Sequence, residues 1–125
     1  MLAGIFQTNF HASAAGETFC NDNEAFLGVP VSECQALVDI YNNTNGDGWT
    51  NSTNWFTTPV ANWYGVNVID GNVMELNLES NKLNGILPAS IGNLSLLTSL
   101  TVAYNYITSF PSEIGLLTNL KTLNL

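Results

Sequence analysis

Four groups of side chains in this 125-residue chain have the types and spacing to do chemistry. Asn43-x-Asn45-x-Asp47-Gly48 matches the opening of a helix–loop–helix calcium loop, in which alternate oxygen-bearing side chains wrap a hard cation. Such a loop needs a bidentate carboxylate at its twelfth position, and counting from Asn43 that place is held by Asn54. A turn is therefore expected there, and no metal. Glu75 and Glu79 could act as paired carboxylates on a glycosidic bond, given a cleft that raises one pKa. Their setting, a short exposed strand, supplies no such cleft. His11 stands alone, and no serine or cysteine has a credible base, so no catalytic residue and no cofactor is expected and the chain reads as a non-enzyme. Cys20 and Cys34, even in number and closely spaced, are expected to form a disulfide closing a small loop. They lack the C-x-x-C spacing of a redox pair, and with one distant histidine they make no zinc site. Asn42-Asn43-Thr44, Asn51-Ser52-Thr53 and Asn93-Leu94-Ser95 are glycosylation sequons in a eukaryotic secretory route. In a bacterium they are plain Asn-rich loops, the reading preferred here.

Composition narrows the partners. The net charge is −8, and Lys82 and Lys121 are the whole basic complement. Nucleic acid and anionic membrane surfaces are poor partners for such a chain. An apolar content of 46% is enough for a core and argues against wholesale disorder. Abundant Asn, Thr and Ser with few charges suggests a secreted or cell-surface setting. No stretch approaches the roughly eighteen continuous apolar residues of a membrane span, so no direct membrane insertion is expected. Residues 1–19 read as a leader or a signal-peptide remnant. Leu2 to Phe6 is apolar and Ala12-Ser13-Ala14 has the small-x-small form of a cleavage site, but no Lys or Arg precedes them.

The elements that must position any site are repeats. Val73, Leu76 and Leu78 recur as Leu97, Leu100 and Val102, and again as Leu120, Leu123 and Leu125. Asn81 recurs as Asn105, Leu83 as Ile107, Pro88 as Pro111 and Ile91 as Ile114. A period in the twenties on L-x-x-L-x-L-x-x-N-x-L is the signature of a leucine-rich repeat solenoid. Apolar residues two apart point to one side of a short strand, and stacked strands form a parallel sheet on the concave face. Asn81 and Asn105 are placed to satisfy backbone groups at the bend with their amides. Pro88 and Pro111 remove a donor where the chain leaves the sheet. The predicted fold is α/β, with residues 73–125 giving two full repeats and the start of a third.

Residues 20–72 read as a small helix-plus-hairpin N-terminal cap. Ser32-Glu33-Cys34-Gln35 is a capping-box candidate, with Ser32 as N-cap and Gln35 at N3. Leu37, Ile40 and Tyr41 follow at helical spacing, and Asn42 through Gly48 stop the helix. Trp49, Trp55, Trp63 and Tyr64 fit either a carbohydrate platform or the core of the cap; covering the apolar end of a solenoid favours the cap. Val66 to Leu76 reads as two strands around an Asp70-Gly71 turn.

Asn81-Lys-Leu-Asn-Gly-Ile-Leu-Pro-Ala-Ser-Ile-Gly-Asn-Leu94 resembles the plant-type subclass of leucine-rich repeat. The second repeat departs from it: Tyr106-Ile-Thr-Ser-Phe-Pro111 is one residue shorter and lacks the glycine, which argues against a plant-type second sheet on that flank. Glu33-Cys-x-Ala-Leu37, Tyr41-Asn-x-Thr-Asn-Gly-x-x-Trp49, Asn54-Trp55 and Trp63-Tyr-Gly-Val66 resemble the N-terminal cap of secreted leucine-rich repeat proteins. The resemblance is nearest to bacterial surface proteins, with plant receptor-like proteins and polygalacturonase inhibitors related. Plant caps usually carry a cysteine near the W-x-G-V segment, and residues 63–68 have none.

The resulting functional expectation is an extracellular, non-catalytic module that binds a protein ligand on its concave face. Strand residues directed away from the core are Glu75, Asn77 and Glu79, then Ser99, Thr101 and Ala103 with Tyr104, then Thr122 and Asn124. Tyr104 is the expected anchor, because aromatics concentrate binding energy. Two alternatives stand beside this: a carbohydrate-binding module using exposed cap tryptophans, and a purely structural capping segment of a longer protein. The chain stops three residues before a third ladder asparagine is due, so a fragment of a longer repeat protein is expected.

Overall fold

The computed structural model describes residues 18–125. His11, the Ala12-Ser13-Ala14 motif and all of the leader except Thr18 and Phe19 lie outside the described residues. Residues 18–22 are helical. They are followed by α1 (Glu24–Leu27), which Gly28 ends in a left-handed conformation at φ 78°, and by α2 (Val31–Asn43). A disulfide joins Cys20 to Cys34 in α2, with Cα atoms 5.9 Å apart. By loop-closure entropy such a bridge stabilises the cap by about 3 kcal/mol.

The start of α2 differs from the sequence expectation. Pro30 stands at the N-cap with φ −59° and no side-chain cap bond. The N–H groups of Glu33 and Cys34 both donate to its carbonyl, at 3.0 and 3.1 Å. Proline's fixed φ starts the helix two residues early, which puts Ser32 inside the first turn, and no capping box forms. Gln35 instead donates forward along the helix to Asp39, at 3.0 Å. At the other end, the Thr44 N–H and hydroxyl both donate to the Ile40 carbonyl.

Strands β1 (Val66–Ile69) and β2 (Asn72–Asn77) pair antiparallel. They turn through Asp70 at φ 53° and Gly71 at φ 81°, the two positive φ values of the tight hairpin turn that Asp-Gly favours. From β2 onward the pairing is parallel. Leu76 of β2, Leu100 of β4 (Ser99–Thr101) and Leu123 of β6 (Thr122–Asn124) lie in one row. The sheet order is β1-β2-β4-β6, so the cap contributes the first strand of the concave face. Val73, Leu76, Leu78, Leu97, Leu100 and Val102 are buried in the interior. Pro88 and Pro111 lead into one-and-a-half-turn 3-10 helices, Ala89–Asn93 and Ser112–Leu116, on the convex side. Helix α2 packs against the first of these.

A second, flanking sheet also forms. Strands β3 (Asn84–Ile86) and β5 (Tyr106–Ser109) pair in parallel, with a register shift at Gly85/Ile86 that absorbs the unequal spacing. This corrects the expectation drawn from the missing glycine. Ladder pairing uses backbone groups, and Ile107 serves opposite Gly85. The glycine of the first repeat has a different task. Gly85 sits at φ 140°, and a Cβ there would overlap the carbonyl oxygen of Asn43 at the end of α2. Next door, the Asn84 N–H donates to Thr44 O at 3.0 Å, so the cap also borders this sheet.

The bends are held by asparagine. Asn105 Oδ1 accepts from the N–H groups of Asn81 and Leu83, both at 2.9 Å. Its Nδ2 donates to the carbonyls of Leu78 and Val102, both at 2.8 Å. Asn81 repeats the pattern one unit earlier: its Oδ1 accepts from Asn51 N–H at 2.8 Å and its Nδ2 donates to Asn51 O at 2.9 Å. Thr50-Asn51 of the cap therefore takes the place of a preceding repeat.

Glu33 provides a further tie across the same boundary. This buried carboxylate accepts the Val73 N–H at 2.7 Å, across 40 residues of sequence. Burial raises its pKa above the ordinary value of 4.5, and the Val73 hydrogen bond opposes part of that rise. The folded state therefore holds this proton more tightly than the unfolded chain, and stability falls as pH rises from about 4.5 through the raised value. Melts of the wild type and Glu33→Gln between pH 4 and pH 8 are expected to diverge in that window and run parallel below it. Curves parallel throughout would contradict the linkage. Asn105→Ala strips partners from at least four backbone groups. It is expected to cost about 3 kcal/mol or more in urea unfolding, against about 0.5 kcal/mol or less for an ordinary surface change.

Candidate functional site

The concave strands set the exposed side chains in rows. Glu75, Ser99 and Thr122 form one row, and Asn77, Thr101 and Asn124 the next. Strand pleat places these residues opposite the buried leucines. Glu75, Asn77, Thr122 and Asn124 are exposed, and Glu79, Ser99 and Thr101 half-buried. Asn77 Oδ1 accepts the Glu79 N–H at 3.1 Å and so fixes the exit of β2. Ala103 is buried rather than displayed: β4 ends at Thr101, and the alternation of faces ends with it. Tyr104 is 79% exposed and held at φ 58°. Positive φ is uncommon for a bulky residue, and folding gives no reason for an aromatic at such an exposed place.

Beside this face lies an open hollow of about 350 Å³, lined by Tyr64, Gly65, Asn77, Glu79 and Ser80. The cap builds one wall. Tyr64 is pinned through its backbone: its N–H donates to Thr53 O and its carbonyl accepts Trp55 Nε1–H, each at 3.0 Å. Gly65, at φ 83°, lets the chain pass close to β2, where its carbonyl accepts Asn77 N–H at 2.8 Å. A Cβ on Gly65 would overlap the Asn77 carbonyl. Sequence reasoning assigned no site role to Tyr64, Gly65 or Ser80. The one available signal was alternation, since Trp63 points into the cap and its neighbour Tyr64 points out.

The tryptophans are interior. Trp49, Trp55 and Trp63 are 7%, 5% and 2% exposed. Their rings pack at 5.0 Å (Trp49–Trp55) and 4.7 Å (Trp55–Trp63) within a cluster that includes Phe19, Tyr41 and Phe56. Each indole N–H is already used, by Thr44, Tyr64 and Thr58 carbonyls respectively. No ring face is left on which a sugar could stack, so the cap tryptophans are core and not a carbohydrate platform. At the Asn43–Gly48 turn the side chains of Asn43 and Asp47 are bonded locally. Asn43 Nδ2 donates to Asp39 O, and the Tyr41 hydroxyl donates to Asp47 Oδ1 at 2.8 Å. Burial, followed by the neighbouring Asp47, pushes the Tyr41 hydroxyl well above its usual pKa. Of the sequon asparagines, Asn93 is exposed and Asn42 and Asn51 are half-buried. Glu75 and Glu79 stand on the open sheet with no enclosing cleft.

Residues 71–125 match the family model described as "Leucine rich repeat". Those residues are leucine-rich repeats. The chain is similar to phytosulfokine receptor 1 of Arabidopsis thaliana, 39% identical over 83 residues. It is also similar to the protein MALE DISCOVERER 2 of the same plant, 32% identical over 95 residues. These matches take in 63% and 73% of this chain but 8% and 14% of those proteins. Among solved structures, the leucine-rich repeat ectodomain of the Arabidopsis receptor kinase SOBIR1 superposes with a TM-score of 0.60 at 25% identity. That superposition covers 80% of this chain and 55% of the other. The chain thus spans a small part of the curated relatives. Plant-type leucine-rich repeats with a disulfide-bonded N-terminal cap describe its architecture.

Buried, hydrogen-bonded tryptophans have a direct optical consequence. Emission of the folded chain is expected to be blue-shifted and poorly quenched by acrylamide, and unchanged by soluble polysaccharide. Red-shifted emission that moves on adding a glycan would contradict the packing of the cap.

Proposed function

We propose that this chain is an extracellular, non-catalytic recognition module that binds a protein ligand across its concave strands. The observation that carries the reading is the concave face itself. Its rows of exposed polar side chains stand on a hydrogen-bonded sheet, and Tyr104 rises at the edge with no packing role. A rigid polar sheet binds by shape and hydrogen bonding with little ordering to be done on association. The binding residues proposed are Glu75, Asn77, Glu79, Ser99, Thr101, Tyr104, Thr122 and Asn124.

A secreted or cell-surface location is favoured by the Cys20–Cys34 disulfide, which persists in oxidising compartments. The similarity to an ectodomain points the same way. No helix among the described residues is long and apolar enough to cross a membrane. A net charge of −8 makes nucleic acid an unfavourable partner. The domain division that goes with this reading is a cap over residues 20–72, joined by Phe19, whose ring packs within the cap cluster, and repeats over residues 73–125.

Selection of random displayed peptides on the intact chain tests the reading. Binders are expected to lose about tenfold or more in affinity against Thr101→Arg, in the middle of the concave rows, because a long charged side chain there blocks close approach. Asn93→Arg, on the convex side, is expected to leave them unchanged. Binders that ignore Thr101→Arg and are lost with Asn93→Arg would overturn it.

A further inference from the structure

We propose that the hollow between cap and first repeat is a subsite for one cationic side chain, a lysine or arginine of the extended segment lying on the concave face. This deepens, and rests on, the reading of that face as a recognition surface. The hollow is shallow and open to solvent, unlike the enclosing pockets that bury most of a whole ligand, which suits a single side chain laid against its walls.

Its walls select the chemistry. On one side is the half-exposed ring of Tyr64, whose face attracts a cation. On the other are the amide of Asn77, the hydroxyl of Ser80 and the carboxylate of Glu79, all able to accept N–H donors. Asn77 Oδ1 already bonds the Glu79 N–H, and this steadies the acceptor set. Among the described residues no side chain donates to the carboxylate of Glu79 and none pairs with it as an ion. Glu75, four residues earlier on the same face and outside the lining of the hollow, adds a more distant negative charge. An anion entering here would meet the Glu79 carboxylate. An apolar side chain would strip water from Glu79 and Asn77 without replacing its hydrogen bonds.

The neighbourhood extends the site along the ligand. Ser80 N–H donates to Ala103 O at 3.0 Å, which sets Tyr104 beside Ser80 on the side away from the cap. Ser80 and Tyr104 share the same left-handed backbone, at φ 53° and 58°. The hollow is thus flanked by Tyr64 from the cap and by Tyr104 from the second repeat. A peptide whose basic residue enters the hollow would pass its next residues over Tyr104. The partner is correspondingly basic in its contact segment, opposite in sign to a chain carrying −8.

The test is an NMR titration of the isotope-labelled chain with blocked single amino acids, which detects millimolar binding. N-acetyl-lysine methylamide and N-acetyl-arginine methylamide are the probes. The norleucine and glutamate analogues and cellotetraose are the comparisons. Saturable shifts are expected for the cationic probes at the amides of Gly65, Asn77, Glu79 and Ser80, weakened by about 0.5 M salt. Glu79→Gln and Tyr64→Leu are expected to lower affinity roughly fivefold to tenfold each. Equal shifts with norleucine, preference for cellotetraose, or no saturable shift at those amides would overturn the proposal. The selected peptides separate the two failures. Concave-face binders without Lys or Arg that are indifferent to Glu79→Gln would remove the cationic subsite and leave the recognition surface standing. Binders that bypass the concave face would remove both.

Discussion

Every repeat bends inward at the end of its strand, and the bend strands backbone N–H and C=O groups where water does not reach. The asparagine amide is the one short side chain that offers both an acceptor and two donors to close that deficit. Asn105 serves the carbonyls of Leu78 and Val102 and the N–H groups of Asn81 and Leu83 at once. It therefore welds its own repeat to the one before it. Leucine burial supplies the driving force, but leucines alone leave register free to slip. The amide ladder fixes it, and with it the rows in which the exposed side chains stand.

The cap meets the same requirement from the other direction. A solenoid that starts abruptly has a first asparagine with nothing behind it. Thr50 and Asn51 supply the missing backbone partners to Asn81, Thr44 supplies one to Asn84, and Glu33 takes the N–H of Val73. These contacts imitate a repeat without repeating its sequence. The aromatic cluster of Tyr41, Trp49, Trp55, Phe56 and Trp63 holds them in place. Few large rings fill the space that many leucines fill further along. One outcome is that Tyr64, next to the innermost tryptophan, is held at a fixed height above β2, and the hollow beside Glu79 owes its shape to this.

Much of this was legible in the residues. The strands and the ladder could be read because each rests on a side-chain type recurring in phase, Leu76 with Leu100 and Leu123, Asn81 with Asn105. The hairpin was legible because Asp70-Gly71 is a local signal for a local structure. What could not be read depended on distant neighbours or on competing local rules. Ser32 looked like an N-cap, but Pro30 began the helix earlier. Ala103 looked displayed, but the strand had already ended at Thr101. The tryptophans were open to two readings until their burial was known. The Glu33–Val73 contact and the meeting of Tyr64 with Ser80 join residues far apart in the chain, and no spacing announces them.

Gly85 carries a consequence for how these units can be exchanged. In a consensus view its glycine is a family trait, interchangeable from repeat to repeat. Here its lack of a side chain admits the end of α2, while the next repeat is one residue shorter and runs from Ile107 to Ser109 without a glycine. The cap and the first repeat are thus a matched pair, keyed at one position. A chimera that grafted this cap directly onto the second repeat would bring Thr108 or Ser109, each with a Cβ, to the place where Gly85 meets Asn43, however well the leucines and asparagines aligned. Modularity in this solenoid begins only after its first joint.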